Sequence, residues 1–457
     1  MSKNTIRQGV LFNGLSKKSI VARFDQDHAS ADGGALLLKA CDERLGLSAA
    51  LSTSLCDKRQ QSKIQHSYQE LFQQRMFGLA CGYADGNDAA RIANDPVFKL
   101  LADRDPIQDP ALGSQPTLSR FENAIGNAEL LRLSEGLADA VIQRHRRRKR
   151  RVKRITIDLD PTCDPTHGNQ QLSLFNGLYN SWCYLPLTGF LSFDKEVEQY
   201  LFCYLLRDGK APAKQGCLGM LKRLLPRLRQ AFPKARIRIR LDAGFSGPEI
   251  YEFFEAQRLE YVVCIGINAI LKAHAEPLLV PIRQAIEANE AHKPAFSECS
   301  YQARSWNRAR RVLIKADVAL HSGRTPKDNP RFIVTNLKQT PKWLYENVYC
   351  ARGDVENRIK ELKDGLEIDR TSCTSFRANQ FRALMTAAAY VLMQELRLHA
   401  RRTCCARAQV STLRLRLLKL GAWIESSVRR VVLHLPVTTP YADEWHRIAR
   451  SVGAVPI

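Results

Sequence analysis

Residues 155–160 read Ile-Thr-Ile-Asp-Leu-Asp, six positions at which apolar and polar side chains alternate. Successive side chains of a β-strand point to opposite faces, so this alternation predicts a strand with one apolar face. The other face then carries the carboxylates of Asp158 and Asp160. Two like charges on one strand face repel each other, and a cation that prefers oxygen ligands, Mg²⁺ or Mn²⁺, would offset that repulsion. Solvent-facing acids at a strand end are the alternative interpretation.

A second acid follows another strand pattern. Residues 236–241 read Arg-Ile-Arg-Ile-Arg-Leu, and Asp242 comes next, ahead of Ala-Gly-Phe-Ser-Gly at 243–247. The two glycines allow a tight loop beside the end of the strand. In open α/β sheets the carboxyl ends of the strands border the binding crevice, so Asp242 and Asp160 can meet despite their separation in sequence.

A third acid lies in a segment with helical spacing. Tyr349, Arg352, Glu356 and Lys363 follow one another at steps of three, four and seven residues, which places them on one face of a helix. On such a face the carboxylate would reach a metal ion, while the cationic and hydroxyl groups hold neighbouring phosphates. A solvated amphipathic helix with an Arg–Glu pair is the alternative interpretation of this segment.

The composition points to a polyanionic partner. The chain has 457 residues, and its 69 Lys and Arg residues outnumber its 46 Asp and Glu residues, for a net charge of +23. Cationic side chains displace the counterions condensed on phosphates, so we expect a nucleic acid partner. The densest block of charge, RHRRRKRRVKR at 144–154, either grips a phosphate backbone or is a solvated linker. In the first case the contact residues are Arg146, Arg147, Arg148, Lys149 and Arg150.

Other classes of protein fit the sequence less well. Residues 1–24 lack the apolar core of a signal peptide, and the longest apolar stretch, 383–393, is too short to span a membrane. We therefore expect a cytoplasmic protein with no membrane partner, associated with the nucleoid when bound to DNA. The 13 cysteines contain no CxxC spacing, which disfavours zinc and predicts packing roles for the thiols. A nucleotide-driven motor is disfavoured because the sequence has no GxxxxGK[ST] loop.

The periodicity divides the chain into parts. Apolar spacing of three and four predicts helices through residues 1–150, including one capped by Thr117 that is either an ordinary capped helix or part of a helix-turn-helix. Three strand patterns, followed by alternating helix and strand, predict a mixed α/β sheet over 151–267. A helix and further strands at 268–348 interrupt this rhythm, which we interpret as an insertion.

Two helices and a basic region are predicted after residue 348. The first helix covers about 350–363 and ends at Asp364-Gly365, where glycine suits a C-terminal cap. The second covers about 375–401. The remaining residues form a basic, partly helical region.

Several of these segments resemble a known group of proteins. The four residues at helical spacing match every position of the YREK signature of IS4-type transposases. Three further segments resemble the IS1380 family of insertion-sequence transposases, and the resemblance extends over nearly the whole chain. These segments are DLDPTCDPTHG at 158–168, DAGF at 242–245 and FRANQ at 376–380.

The resemblance implies an α/β fold with an RNase H-like catalytic core, a mixed sheet, a β-rich insertion and a helical N-terminal domain. The implied parts are a DNA-binding domain at 1–150, the first part of the core at 151–267, the insertion at 268–348, the second part of the core with the catalytic Glu helix at 349–400, and a basic C-terminal region at 401–457. The implied catalytic and metal-binding acids are Asp160, Asp242 and Glu356, with Asp158 as the alternative first acid, and they would hold two Mg²⁺ or Mn²⁺ ions. Tyr349, Arg352 and Lys363 would contact the DNA backbone.

The same resemblance implies a DDE transposase. Such an enzyme binds the terminal inverted repeats of an insertion sequence as double-stranded DNA, cleaves the strands with divalent metal and transfers them to target DNA. Paired ends require paired enzymes, so a homodimer is expected. A metal-dependent nuclease on the same fold and a DNA-binding protein with a decayed catalytic core are the alternatives. Some IS4-like enzymes hold a flipped base with a Trp of the insertion, for which Trp306 and Trp343 are the candidates.

Overall fold

A mixed sheet of eight strands lies at the centre of the molecule, in a computed structural model that describes residues 8–148, 151–320, 323 and 325–456. In chain order the strands are β1 (Arg154–Pro161), β2 (Leu187–Phe193), β3 (Tyr200–Leu205), β4 (Arg236–Leu241), β5 (Glu260–Ile265), β6 (Ala295–Tyr301), β7 (Arg310–Ala316) and β8 (Arg331–Thr335). Their order across the sheet is β6-β7-β8-β5-β4-β1-β2-β3. β4 is parallel to both β1 and β5, and the other neighbouring strands are antiparallel.

The two strands predicted to carry acids are confirmed as neighbours in this sheet. Their parallel register pairs Asp158 of β1 with Arg240 of β4. The carboxyl ends of β1 and β4 therefore lie at the same edge of the sheet. Both faces of β1 are buried, including the face on which the sequence pattern is polar.

Fifteen α-helices are found among the described residues. They are α1 (Leu36–Leu45), α2 (Leu47–Ser52), α3 (Tyr68–Ala80), α4 (Gly86–Arg91), α5 (Pro96–Leu101), α6 (Gln115–Ala124), α7 (Asn127–Arg148), α8 (Cys217–Ala231), α9 (Pro248–Ala256), α10 (Ala269–Glu287), α11 (Pro341–Leu344), α12 (Asp354–Leu366), α13 (Phe376–His399), α14 (Val410–Leu413) and α15 (Ala442–Ser451). Across the part of the chain that the structure describes, none of the helices is both long and apolar enough to cross a membrane.

Short strands complete the described elements. They are Val10–Phe12 and Ile20–Ala22; Ala29–Ser30, Ala422–Ser426 and Val431–His434; Asp164–Pro165, Leu174–Asn176 and Ser181–Tyr184; and Val318–Ala319 and Lys327–Asp328. Each of these four groups forms its own small sheet.

The helix α13 joins the N-terminal helices to the sheet. It is buried at every position from 378 to 398, which is typical of a helix enclosed on all sides. It packs against α1, α3 and α7 and against β3, at the edge of the sheet. Two of its glutamines accept hydrogen bonds from backbone N–H groups at that edge, Gln380 from Leu206 and Gln394 from Leu201. These bonds satisfy backbone groups that an uncovered edge strand would leave exposed.

Residues 268–348, interpreted from the sequence as an insertion, continue the central sheet. After α10, the chain forms β6, β7 and β8, and β8 pairs with β5. The helix and the strands predicted here are confirmed as elements, and their pairing lengthens the sheet beyond β5.

Two predicted helix caps are wrong. α6 begins after Ser114, so Thr117 lies within its first turn. α12 continues through Gly365 to Leu366, and Glu367 adopts the left-handed backbone conformation at its end, with φ of 50°. Gly365 serves packing instead, because a Cβ there would lie 3.1 Å from Cβ of Val410.

The N-terminal and C-terminal regions are packed against each other. The N–H of Gly33 donates to the carbonyl of Leu420, and Asp32 forms an ion pair with Lys419 at 2.7 Å. A Cβ on Gly34 would lie 1.8 Å from the carbonyl oxygen of Leu417, so only glycine allows this approach. The basic C-terminal region is therefore a fixed part of the fold.

Candidate functional site

Three acids from separate segments converge on the guanidinium of Arg352. Its Nη2 lies 2.6 Å from Oδ1 of Asp160 and 3.7 Å from Oδ2 of Asp242, and its Nη1 lies 3.8 Å from Oε1 of Glu356. The structure thus brings together the three acids that the resemblance singled out. They lie at the edge of the sheet where β1 and β4 end and α12 begins.

Local structure fixes where the first two acids lie. Asp160 lies at the end of β1, where its carbonyl accepts a hydrogen bond from the Thr188 hydroxyl at 2.8 Å. Asp242 follows β4 and caps the next turn, because its carboxylate accepts a hydrogen bond from the N–H of Gly244 at 2.9 Å. A Cβ on Gly244 would lie 2.8 Å from Cβ of Ala213, which explains the need for glycine in this loop.

The site is buried at one end and open at the other. The side chain of Asp160 is 11% exposed, that of Asp242 is 32% exposed and that of Glu356 is 70% exposed. The site is therefore accessible from the side of Glu356 and α12. Burial raises the pKa of Asp160 to about 7; the charge of Arg352 lowers it, and the negative charges of Asp242 and Glu356 raise it further.

Asp158, the alternative first acid, is engaged elsewhere. It is fully buried, and each of its oxygens accepts a hydrogen bond from Arg240, Nε at 2.7 Å and Nη2 at 2.6 Å. A carboxylate whose two oxygens are held by one guanidinium in the interior is a poor ligand for a metal. The geometry favours Asp160 over Asp158 as the first acid of the site.

The donor set suits a hard divalent cation. Carboxylate oxygens are the ligands that Mg²⁺ and Mn²⁺ prefer, and in this arrangement Arg352 supplies the positive charge that balances them. Among the residues that the structure describes, no three Asp, Glu, His or Cys side chains are positioned to hold a metal ion as they stand. The guanidinium lies between the acids, so metal binding requires Arg352 to leave its present contacts.

We expected Tyr349, Arg352, Glu356 and Lys363 to lie on one face of a continuous α-helix, but the backbone that carries them is not one regular helix. A wide, π-helical turn covers Tyr345–Tyr349 and a tight, 3-10 helical turn covers Cys350–Gly353. Regular α-helix follows with α12. Arg352 and Glu356 face the acids, but Lys363 donates a hydrogen bond to the carbonyl of Cys163, in the loop after β1.

Tyr349 is held by a neighbouring aromatic ring and by a thiol. Its ring lies 5.7 Å from that of Tyr345, and its hydroxyl interacts with the thiol of Cys264 on β5. Burial raises the pKa of Tyr349. Of the four residues of the YREK pattern, two therefore face the acid site directly in this arrangement.

The described residues of the basic block, 144–148 and 151–154, lie near the amino-terminal end of β1, whereas the acids lie at its carboxyl end. The block leads into β1, and the six residue steps from Arg154 to Asp160 span about 20 Å in an extended strand. Arg144 is buried, forms an ion pair with Glu395 and stacks over the ring of Tyr200. Arg146, Arg147 and Arg148 are exposed at the end of α7, whereas Lys149 and Arg150 lie outside the described residues.

The two tryptophans named from the sequence differ in exposure. Trp306 is 6% exposed and packs in the core against the rings of Tyr251 and Tyr301. Trp343, on α11, is 42% exposed. Trp182, which the sequence analysis did not single out, is 57% exposed on the small sheet that follows β1.

Sequence reasoning also missed Arg240, the partner of Asp158. The alternation in residues 236–241 places Arg238 and Arg240 on one face of β4. The presence of two arginines on one face of a strand was the available signal. In the structure both guanidinium groups are buried against carboxylates, Arg240 against Asp158 and Arg238 against Glu260. An arginine in the middle of a buried strand requires such a partner.

Comparison with known proteins matches nearly the whole chain to one family. The family model described as "Transposase DDE domain group 1" matches residues 12–456. The match includes the three acids, Arg352 and all eight strands of the central sheet. No curated protein matches the sequence.

Proposed function

The chain belongs to the family of transposase DDE domains, group 1, and from that membership we propose that it is a cut-and-paste transposase of an insertion sequence. In this proposal it binds the terminal inverted repeats, cleaves the DNA strands and joins them to target DNA. The observation that carries the proposal is the convergence of Asp160, Asp242 and Glu356 on a single positive charge. The motifs at 158–168 and 376–380 support the finer assignment to the IS1380 family.

The proposed catalytic core is RNase H-like. It consists of β1–β5 together with α12 and α13. Three antiparallel strands followed by alternating helix and strand support this assignment, as does the position of two acids at the ends of adjacent parallel strands. In the same proposal, residues 1–150 bind DNA and 268–348 form an insertion that continues the sheet.

The acids would hold the divalent metal, with two ions expected. When bound, such ions lower the pKa of a water molecule and stabilise charge on the leaving oxygen of a phosphodiester. Asp160 would be the buried anchor of the site. Glu356 is mostly exposed, so its side chain can rotate towards the metal without unfolding α12.

Arg352 would change partners when metal and DNA arrive. In the structure it balances the charges of the acids, a role that a divalent cation takes over. Its planar guanidinium is then free to bind a phosphate of the DNA backbone with two hydrogen bonds. Lys363 and Tyr349 would hold neighbouring phosphates once they leave their present intramolecular partners.

The proposed partners are double-stranded DNA and a second copy of the chain. The net charge of +23 favours binding to phosphates throughout the molecule. Both ends of the element must be held together before they are joined to a target, and two protomers would present two acid sites for that purpose.

The test is a strand-transfer reaction with purified protein and Mg²⁺. Its substrates are labelled duplexes from the DNA that flanks the gene, together with a target plasmid. Glu356→Ala removes one acid, and Glu346→Ala, at an exposed position just before the site, is the matched control.

We expect end cleavage and joined products from the wild type and from Glu346→Ala, and neither from Glu356→Ala. Cleavage without joining would instead favour a metal-dependent nuclease. End binding without cleavage by the wild type, in Mg²⁺ and in Mn²⁺, would favour a DNA-binding protein with a decayed core.

A further inference from the structure

The buried guanidinium of Arg240 contacts all three segments that carry the acids. It belongs to β4, two residues before Asp242, and it forms the bidentate pair with Asp158, two residues before Asp160 on β1. Its third contact is a hydrogen bond from Nη1 to the carbonyl of Val348 at 3.0 Å, in the wide turn that leads to Arg352 and Glu356. We propose that Arg240 is a positioning residue that sets the spacing of the three acids, an inference that rests on the proposed function.

The strand geometry places this contact directly beneath the acids. Side chains two residues apart in an extended chain point to the same side, so Asp158 and Asp160 share one face of β1. Asp242 follows β4 in an extended backbone conformation and lies on the same side as Arg240. The register of the two parallel strands pairs Arg240 with Asp158. A shift of β4 along β1 would break this pair before it separated the acids.

The chemistry of arginine suits this task. The guanidinium is planar and rigid, and it donates in three fixed directions here, to two carboxylate oxygens and one backbone carbonyl. A lysine ammonium is a point charge on a flexible stem and cannot hold three partners at fixed angles. Arg240 is 7% exposed and Asp158 is fully buried, so water cannot replace a lost contact.

A role in stability alone explains the pair less well. The cost of removing two charges from water often exceeds their attraction in the interior, so a buried ion pair is rarely the most stabilising choice. What such a pair does supply is a fixed geometry between the segments it joins. Groups that orient metal ligands from behind in this way typically change metal affinity by about 10–100-fold when they are altered.

The neighbouring pair on the same strand offers a matched control. Arg238 is 4% exposed and holds Glu260 of β5 through Nε at 2.9 Å and Nη2 at 2.6 Å. It is also a buried arginine paired with a carboxylate, although both of its nitrogens reach the same oxygen, Oε2, and it lies one pair further from the carboxyl ends of the strands. Arg238→Lys therefore removes a guanidinium–carboxylate contact of the same strand whose hydrogen bonds run to Glu260 of β5 rather than to Asp158 or Val348.

The experiment measures Mn²⁺ affinity by calorimetry on the full chain, for the wild type, Arg240→Lys and Arg238→Lys. Thermal unfolding and binding to DNA ends are measured alongside. We expect Arg240→Lys to weaken Mn²⁺ binding by about tenfold or more, and to raise by the same factor the metal concentration needed for half-maximal cleavage. Arg238→Lys should leave both quantities at the wild-type value, and neither variant should lose binding to DNA ends.

Two results would overturn the inference. One is equal Mn²⁺ affinity in Arg240→Lys and Arg238→Lys. If Arg240→Lys does not fold, the double variant Asp158→Leu with Arg240→Met removes the pair without leaving a lone charge. The second overturning result is a wild-type Mn²⁺ affinity in this double variant.

Failure of the proposed function has a different signature. A wild type that binds Mn²⁺ through Glu356 but cuts no DNA would refute the transposase and leave the positioning role intact. A wild type that binds no Mn²⁺ would overturn both.

Discussion

Replacing Asp160 with asparagine should make the metal-free protein more stable at alkaline pH than the wild type. Asp160 is buried, and its pKa is raised from 3.8 to about 7. A group whose pKa is higher in the folded than in the unfolded state binds its proton more tightly when folded. Its contribution to stability is therefore complete below pH 4 and is lost as the pH rises to 7 and above.

The size of this effect follows from the two pKa values. At about 1.4 kcal/mol for each tenfold change in proton affinity, the rise from 3.8 to about 7 corresponds to about 4 kcal/mol. The entropy of unfolding is about 2.1 cal/mol/K per residue, which gives a 457-residue chain about 1 kcal/mol/K. The expected change in Tm between pH 4 and pH 8 is therefore about 4 °C at most.

The assay compares the Tm of the wild type and Asp160→Asn across this pH range, in a chelating buffer. Asparagine has the same shape and does not titrate, so other carboxylates cancel in the difference. The difference in Tm should grow in favour of the variant from pH 4 to pH 8. Added Mg²⁺ should raise the Tm of the wild type at pH 8 and leave that of the variant nearly unchanged. Parallel Tm curves for the two proteins would refute a burial-driven pKa shift at Asp160.

Three further predictions concern the parts of the fold around the site. Gly34→Ala should lower the free energy of unfolding by more than about 4 kcal/mol, because its Cβ would overlap a backbone carbonyl, whereas Gly86→Ala, with nothing within 4 Å, should be neutral in chemical denaturation. Glu361→Ala should lower the free energy of unfolding by about 3–5 kcal/mol, because it leaves the buried Arg397 of α13 without one of its two carboxylate partners. The exposed change Glu356→Ala on the same helix should leave the Tm unchanged. Replacing the exposed arginines at the end of α7 with glutamine should weaken DNA binding and reduce the slope of log affinity against log salt by about 2–3 if each of them meets a phosphate. The arginines to be replaced are Arg146, Arg147 and Arg148. An unchanged slope would identify this block as a linker.

The sequence was sufficient to predict the strands and two of the three acids that meet at their ends. The alternation at 155–160 and 236–241 follows from the period of a β-strand, and an acid near or just after the end of each pattern must lie at the carboxyl end of the strand. Helices were likewise visible in the spacing of apolar residues. Such signals are local, so they depend on no knowledge of which strands pair.

Features that depend on pairing could not be predicted. The strands β6–β8 have ordinary strand patterns, and only their contact with β5 makes them part of the central sheet. The role of Arg240 depends on a carboxylate 82 residues earlier in the chain. The backbone between Tyr345 and Gly353 departs from regular α-helix, because tertiary contacts such as the hydrogen bond from Arg240 to Val348 override local spacing there.

The most direct test of the central claim replaces a proposed metal ligand with one of different softness. Asp242→Cys exchanges a carboxylate for a thiolate, which binds Mn²⁺ far better than Mg²⁺, and Asp242→Ser is the control that lacks a strong ligand. End cleavage is measured for both variants in each metal. We predict no cleavage by either variant in Mg²⁺, and recovery in Mn²⁺ by Asp242→Cys alone. Wild-type cleavage by Asp242→Cys in Mg²⁺, or equal inactivity of the two folded variants in Mn²⁺, would contradict a metal site built on Asp160, Asp242 and Glu356.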